Sequence, residues 1–151
     1  MHGFWLFTHV LGVVLWLGGG LATMVAGVAA KQFPPQTRIA AYRLTSAVQR
    51  VLVGPGAVAV LVSGVVLSMR FMREGTIPGW LTLMMAAGIL AALIALGVTL
   101  PTAARLGRLD LGPRGDLPES FTGLRQRLVL AASVTGGLVL IALAAGTMLR
   151  P

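Results

Sequence analysis

One histidine, His9, lies inside the apolar run FWLFTHVLGVVLWLGGG that extends from Phe4 to Gly20. Ionisable groups are costly within a bilayer and usually serve a site there, and imidazole is a ligand of transition metals and of haem iron. We therefore interpret His9 as a candidate ligand. The alternative is an interhelical hydrogen bond from His9 to Ser63 or Thr82.

His9, Gly12 and Trp16 have the i, i+3, i+7 spacing that puts them on one face of a helix, which we expect to point into a bundle. Gly12 leaves space beside the imidazole. Either a flat macrocycle or a neighbouring helix can fill that space.

The elements that must position His9 are membrane-spanning helices. Of the 151 residues 56% are hydrophobic and 11% charged, and the mean hydropathy of +0.88 is far from that of a soluble domain. Four apolar stretches are long enough to cross a bilayer as helices, at about 3–30, 51–69, 79–101 and 128–149. We expect one all-α domain over residues 1–151, an integral membrane up-and-down bundle of four transmembrane helices.

The helices are expected to extend beyond two of these stretches. The sequence PPQTRIAAYRLTSAVQR starts with two prolines and continues without a breaker, so helix 2 is predicted to project from the membrane. Gly54-Pro55-Gly56 is predicted to kink or loosen it. The segment LDLGPRGDLPES is rich in turn formers and is predicted to be irregular until a helix restarts near Glu119.

The basic residues are concentrated in the first and third connecting segments. They are Lys31, Arg38, Arg43 and Arg50 in the first, and Arg105, Arg108, Arg114, Arg125 and Arg127 in the third. By the positive-inside rule these segments face the cytoplasm and both termini lie on the outer side of the membrane. We expect the protein to lie in the inner (cytoplasmic) membrane of a cell. Membrane orientation thus accounts for the net charge of +8 better than nucleic-acid binding does.

Thioether side chains share the predicted depth of His9. Met84 and Met85 lie five or six residues into the third stretch, which runs inward from the same side, and each residue adds about 1.5 Å of depth. Further soft ligands lie near the outer boundary: His2, Met1, Met69, Met72 and Met148. Because methionine is also an ordinary filler of apolar interiors, packing is the alternative for each.

Several chemistries are disfavoured. The chain has no cysteine, so thiolate metal sites and iron–sulfur ligation are excluded. Its carboxylates, Glu74, Asp110, Asp116 and Glu119, all fall in predicted loops, where they cannot pair with His9 in acid–base catalysis. A bound porphyrin supplies reactivity that these side chains lack, so the question of an enzyme stays open.

Small residues are frequent in the predicted spans, including Gly18, Gly19, Gly20, Gly88, Ala91, Ala92, Ala95, Gly136, Gly137, Ala144 and Ala145. Such residues serve either a dimer face or close helix contact within one chain.

The motifs FTHVLGVVLWLGG, GPGAVAVLVSGVVL and PGWLTLMMAAGILAAL, in this order on successive helices, give the chain a family resemblance. It resembles the HemJ family of small membrane protoporphyrinogen oxidases, the CopD copper-resistance membrane domain, and most closely a related group of uncharacterised predicted membrane proteins. The resemblance covers nearly the whole chain.

In the HemJ family a helix 1 His and a helix 3 Lys are associated with haem binding and activity. The resemblance implies that His9 is the histidine, whereas Met84 replaces the Lys and Thr82 replaces a second His. An Arg expected after the helix 1 Trp-x-x-Gly is replaced within Ala22–Met24. These departures argue against the oxidase activity and leave a scaffold with a histidine and, by replacement, a thioether.

The first functional hypothesis is therefore haem b in the outer half of the bundle, with His9 and Met84 as axial ligands. His/Met ligation raises the reduction potential and favours electron transfer. Met85 is expected to point elsewhere on its helix. The propionates are expected to pair with Arg70, Arg73 or Arg150, unless these arginines only anchor the helix ends to lipid headgroups.

Two further hypotheses stay open. Copper handling is one, because Cu(I) accepts thioether and imidazole ligands and the outer methionines could form an entry route. A non-catalytic accessory subunit is the other, and it predicts that His9→Ala leaves cofactor content unchanged. The expected partners are the lipid bilayer and a porphyrin, together with either a second copy of the chain or a subunit of a respiratory complex.

Overall fold

The computed structural model describes residues 2–73, 75 and 77–148, except for the side chain of Arg70. Within these residues the chain is helical and contains no strand. The helices are α1 (His2–Gln32), α2 (Pro35–Arg73), α3 (Gly79–Leu106) and α4 (Ser120–Met148), and each is long and apolar enough to cross a membrane. The predicted all-α class with four transmembrane helices is confirmed, and the chain is a multi-pass membrane protein.

The helices alternate in direction, so the bundle has two distinct ends. We call the end that carries His2 and Met148 the terminal end, and the opposite end, which carries residues 33–34 and 107–119, the loop end. Even α3, with 28 residues, is roughly 42 Å long, which exceeds the roughly 30 Å of bilayer hydrocarbon. The helices therefore extend beyond the apolar stretches from which the spans were predicted.

The extensions occur where the sequence becomes polar. Helix α2 begins at Pro35, as the proline pair predicts, and α4 begins at Ser120, next to the expected restart at Glu119. Helix α3 continues through Pro101 to Leu106, beyond its predicted end. The apolar stretch gave too early an end for α3, because a helix continues through polar residues once its backbone is hydrogen-bonded.

Prolines are accommodated in α2 and α3 by π-helical turns. These turns cover Gln49–Val53 and Ala95–Thr99, and each ends two residues before a proline, Pro55 or Pro101. A proline ring clashes with the carbonyl four residues earlier, and that carbonyl lies at the centre of the wide turn in both helices. The loosening predicted at Gly54-Pro55-Gly56 is thus a wide turn that precedes the proline, and both helices remain continuous.

The helices pack as two pairs. Helix α1 packs most extensively on α2, and α3 on α4. The two pairs meet in the middle of the bundle in a cluster of buried residues in which α3 supplies only alanines: Trp16, Val53, Ala57, Ala91, Ala92, Ala95 and Val139. Because alanine side chains are small, the pairs approach closely at this level.

A second cluster closes the loop end. Tyr42 of α2 packs edge-to-face on Phe121 of α4, with ring centroids 5.3 Å apart, and its hydroxyl accepts a 2.9 Å hydrogen bond from Arg125. Leu106 is buried in the same cluster. The guanidinium of Arg38 donates to backbone carbonyls at the end of α1. These contacts join all four helices of the described chain at the loop end.

Candidate cofactor site

A cavity of about 470 Å³ lies between the two helix pairs in the terminal half of the bundle. Side chains from α1, α2, α3 and α4 all line it, and most of them are aliphatic. Its deepest lining residue on α1 is Trp16, which is also part of the central cluster. The indole, only 4% exposed, therefore forms the floor that separates the cavity from the loop half.

Glycines on three helices give the cavity its room. Gly64 of α2, Gly88 of α3 and Gly146 of α4 all line it. A β-carbon at Gly64 would lie 3.3 Å from Cε1 of His9, and one at Gly146 would lie 2.9 Å from the sulfur of Met84. Each of these two glycines thus makes space for one of the two predicted ligands.

The ring of His9 is held by a hydrogen bond to α2. Its Nδ1 lies 3.0 Å from Oγ of Ser63, a residue with no exposed surface. The Ser63 hydroxyl has a closer acceptor, the carbonyl of Ala59, and it has only one proton to donate. Oγ therefore accepts from His9, so Nδ1 carries the ring proton.

This protonation pattern leaves Nε2 of His9 with its lone pair. The ring is hydrogen-bonded to Ser63, the backbone carbonyl of Val60 is a further hydrogen-bond partner of His9, and His9 lines the cavity. The interhelical bond to Ser63 that the sequence raised as an alternative is therefore present. It does not compete with ligation, because a ligating histidine normally donates its other ring N–H to a neighbouring acceptor, which fixes tautomer and orientation.

Thr82, the other candidate partner of His9, is not part of this arrangement. Its side chain is exposed, and its hydroxyl donates to the carbonyl of Pro78 on its own helix at 3.4 Å.

Met84 and Met85 of α3 both line the cavity. The expectation that Met85 points elsewhere is wrong. Two successive helical residues are about 100° apart, since 3.6 residues make a turn, and a cavity bounded by four helices is wide enough to be lined by both. The site thus brings together one imidazole and two thioethers.

Gly12 does not line the cavity. A β-carbon there would lie 2.9 Å from the carbonyl oxygen of Gly56, and one at Gly56 would lie 2.8 Å from the carbonyl oxygen of Gly12. The two glycines let the backbones of α1 and α2 touch. Of the two occupants considered for the space at Gly12, the structure contains the neighbouring helix.

Of the predicted arginines, only Arg73 has a described side chain, and it is not brought to the cavity. Arg73, at the end of α2, is exposed and is not a lining residue, and the side chain of Arg70 and all of Arg150 lie outside the described residues. Met69, Met72 and Met148, the methionines predicted near the outer boundary, are exposed and do not line the cavity either. Met1 lies outside the description.

No group of three or more His, Cys, Asp or Glu side chains that could hold a metal ion occurs within residues 2–73, 75 and 77–148. Any metal in the cavity thus depends on His9, on thioethers and on a ligand that the metal brings with it, such as a porphyrin. Comparisons with protein-family models, with curated proteins and with solved structures found no match for this chain.

Sequence reasoning missed the contributions of Gly64 and Gly146. A partial signal existed, since Gly64 of α2 and Gly88 of α3 lie near the depth of His9 when residues are counted from the terminal end, whereas Gly146 lies closer to that end. It could not be separated from the many other glycines, because counting gives the depth of a residue and not the direction in which it faces.

Proposed function

We propose that this protein binds haem b, or a closely related metalloporphyrin, in the cavity of the terminal half. Nε2 of His9 and the sulfur of Met84 would hold its iron. The observation that carries the proposal is the His9 ring itself, which is oriented by Ser63 and lies at the wall of an apolar cavity that Met84 also lines. The resemblance to the HemJ group points to the same class of ligand.

The residues present fit the ring and the iron. The volume of about 470 Å³ is within the range of ligand pockets, about 300–1,000 Å³. Aliphatic walls match a porphyrin plane, and imidazole with thioether is a recognised pair of haem ligands. A flat ligand between the two helix pairs would contact all four helices, as the lining does.

When bound, such a haem carries one electron at a time between its ferrous and ferric states. Two residues of the chain would influence the reduction potential of the bound haem. Ser63 fixes the His9 tautomer by accepting from Nδ1, and Met84 supplies a ligand that raises the reduction potential. Trp16 forms the apolar floor of the cavity on the side of the loop half. The set favours electron transfer over oxygen chemistry.

The charged propionate groups of the ligand must reach a polar environment outside this apolar cavity. Among the described residues no Lys or Arg side chain lines the cavity, so carboxylates deep inside it would be unpaired and costly. The proposal therefore orients them toward the terminal end, where the cavity approaches the membrane interface and Arg73 ends α2. This orientation keeps the sequence-based pairing with Arg73 as a hypothesis.

The test is an absorption spectrum of the detergent-purified protein after expression with ample haem, in the oxidised and dithionite-reduced states. We expect a Soret band in the wild type, its loss in His9→Ala, and a shift of the reduced bands in Met84→Ala, because methionine ligation has a distinct spectrum. Added imidazole is expected to restore the band in His9→Ala, since it can occupy the vacated volume.

Met69→Ala is the matched control, since Met69 is an exposed methionine near the same end of the bundle and does not line the cavity. Its spectrum is expected to equal that of the wild type. A featureless wild-type spectrum would refute the proposal, as would a Soret band that His9→Ala leaves unchanged. The second result would favour an accessory subunit that lacks a histidine-ligated cofactor.

Copper is a second candidate because Met85 lines the cavity together with His9 and Met84. One imidazole and two thioethers form a soft donor set of the kind that Cu(I) accepts. Competition with a coloured Cu(I) chelator separates the two candidates. Copper binding would be weakened by Met85→Leu, whereas haem binding through Met84 would be insensitive to that substitution.

A further inference from the structure

A second cavity, of about 360 Å³, lies at the loop end between α2 and α3. One wall of this pocket is polar and basic, and the other is apolar. Arg50 of α2 and Arg108, just beyond α3, supply guanidinium groups, and Ser46 supplies a hydroxyl. Leu96 and Leu100 of α3 supply an apolar wall. The pocket is thus amphipathic, and it is separate from the cavity that His9 lines.

Neither guanidinium is engaged within the part of the chain that the structure describes. Arg38 donates to backbone carbonyls, and Arg43 pairs with Asp110. Arg50 and Arg108, in contrast, have no side-chain hydrogen bond or ion pair there, although they line the same pocket. Both guanidinium groups line one pocket and have no counter-charge among the described residues, so an anion bound in the pocket is favoured electrostatically.

The protein builds the pocket from rigid parts. A β-carbon at Gly107 would lie 2.6 Å from Cβ of Ser46, so α3 ends in direct contact with α2 beside the pocket. Arg50 and Leu96 belong to the two π-helical turns, and Pro101 follows the second turn. The pocket therefore lies at the level of the two wide turns.

The position of the pocket relative to the membrane selects the anion. Arg50 immediately precedes the apolar stretch of α2, so its guanidinium lies where the hydrocarbon ends. The leucines lie on the hydrocarbon side. A phosphate with attached acyl chains matches both walls, and basic pockets between transmembrane helices are known sites for anionic headgroups.

We propose that the pocket between α2 and α3 at the loop end binds the phosphate of an anionic phospholipid. Arg50 and Arg108 hold the phosphate from two sides, Ser46 donates to one of its oxygens, and an acyl chain lies along Leu96 and Leu100. A free phosphate ion shares the headgroup chemistry but gains nothing from the leucine wall. The bound lipid ties α2 to α3 at the level of their wide turns.

The test is native mass spectrometry of the full chain in detergent, titrated with dioleoyl phosphatidylglycerol and, separately, with dioleoyl phosphatidylcholine. We expect one phosphatidylglycerol to remain bound more strongly than phosphatidylcholine. Arg50→Gln and Arg108→Gln are each expected to weaken its binding by about tenfold, since each removes a charged hydrogen bond to the phosphate.

Arg105→Gln is the matched control, because Arg105 is an exposed arginine in the last turn of α3 that does not line the pocket. It changes the net charge equally and is expected to weaken binding by less than about twofold. If Arg105→Gln lost as much affinity for phosphatidylglycerol as the pocket variants do, the loss would come from the lower overall charge of the surface. The proposal would then be overturned.

Inorganic phosphate separates the two sources of the anion. If millimolar phosphate displaces phosphatidylglycerol completely, the site recognises a phosphate ion and the lipid assignment is wrong. Retention of the lipid in the presence of phosphate, together with its loss in the double variant Arg50→Gln/Arg108→Gln, is the expected result. Retention in that double variant would refute the site.

Discussion

The contact between Gly12 and Gly56 makes a sharp prediction about how α1 is held against α2. A β-carbon at Gly12 would lie 2.9 Å from the carbonyl oxygen of Gly56, 3.0 Å from Cγ2 of Val60 and 3.1 Å from Cβ of Ala59. Ordinary contacts between carbon atoms are about 3.5–4.0 Å. Two of the three neighbours are a backbone atom and a β-carbon, which cannot rotate away, so Gly12→Ala must push the helices apart.

The size of the effect follows from comparison with Gly18→Ala in the same helix. A β-carbon at Gly18 has no neighbour within 4 Å. Both substitutions gain about 1 kcal/mol of helix propensity, so this gain cancels in the comparison. What remains is overpacking at Gly12, about 1–3 kcal/mol. We expect Gly12→Ala to have a free energy of unfolding lower than that of Gly18→Ala by that amount.

The assay is reversible unfolding of the detergent-solubilised protein by titration with a denaturing detergent, followed by circular dichroism. Equal unfolding free energies for the two variants would refute the inference that the backbones of α1 and α2 touch at Gly12. The comparison also bears on the two roles of small residues, because Gly12 acts within one chain whereas Gly18 faces outward.

Three further predictions concern single side chains. Ser63→Ala removes the acceptor of the His9 ring proton and is expected to weaken haem binding by about 10–100-fold in a haem titration, with Ser63→Thr retaining most of it. Gly146→Ala places a β-carbon 2.9 Å from the sulfur of Met84, so the reduced spectrum and potential should shift while unfolding changes by less than about 1 kcal/mol. Gln49→Leu removes a buried side-chain oxygen that has no partner in the described structure, together with the 3.1 Å hydrogen bond from the Gln49 amide to Oγ1 of Thr23. Because the relieved oxygen and the lost hydrogen bond offset each other, we expect the unfolding free energy to change by less than about 1 kcal/mol, and a loss above about 2 kcal/mol would contradict this balance.

Much of the fold could be predicted from the sequence because bilayer thickness sets the length of an apolar span. The same regularity explains why His9 and Met84 could be matched by depth, since the rise per residue is constant in every helix. The depth of a residue along the bundle could therefore be predicted from the sequence, and His9 and Met84 do line one cavity.

The direction in which a residue faces was less predictable. Gly12 shares a helix face with His9 and still packs on Gly56, because the crossing of α1 and α2 decides which part of that face is covered. Met85 was expected to face away from the site, because the sequence gives its angle from Met84 on the helix but not the width of the cavity that both residues line. Crossing angles depend on residues far away in the sequence, which no local spacing reveals.

The wide turns show an intermediate case. Pro55 indicated a disturbance in α2, and one occurs, but its form and its position before the proline depend on how the displaced carbonyl is accommodated. Pro101 is the predicted end of a span, but α3 continues past it because a wide turn before the proline accommodates the ring there as well.

The pairing of α1 with α2 and of α3 with α4 has a consequence for how the protein is made. Each pair is contiguous in the chain, so each can enter the bilayer as a hairpin that already has its own packed interface. The His9 ring finds Ser63 inside the first hairpin, whereas Met84 arrives with the second. The cavity is complete only once the second hairpin docks, so any ligand must be loaded during or after that late step of biogenesis. Separate expression of residues 1–75 and 76–151 should therefore give two halves that assemble in the membrane, with the ligand site appearing only in the reassembled protein.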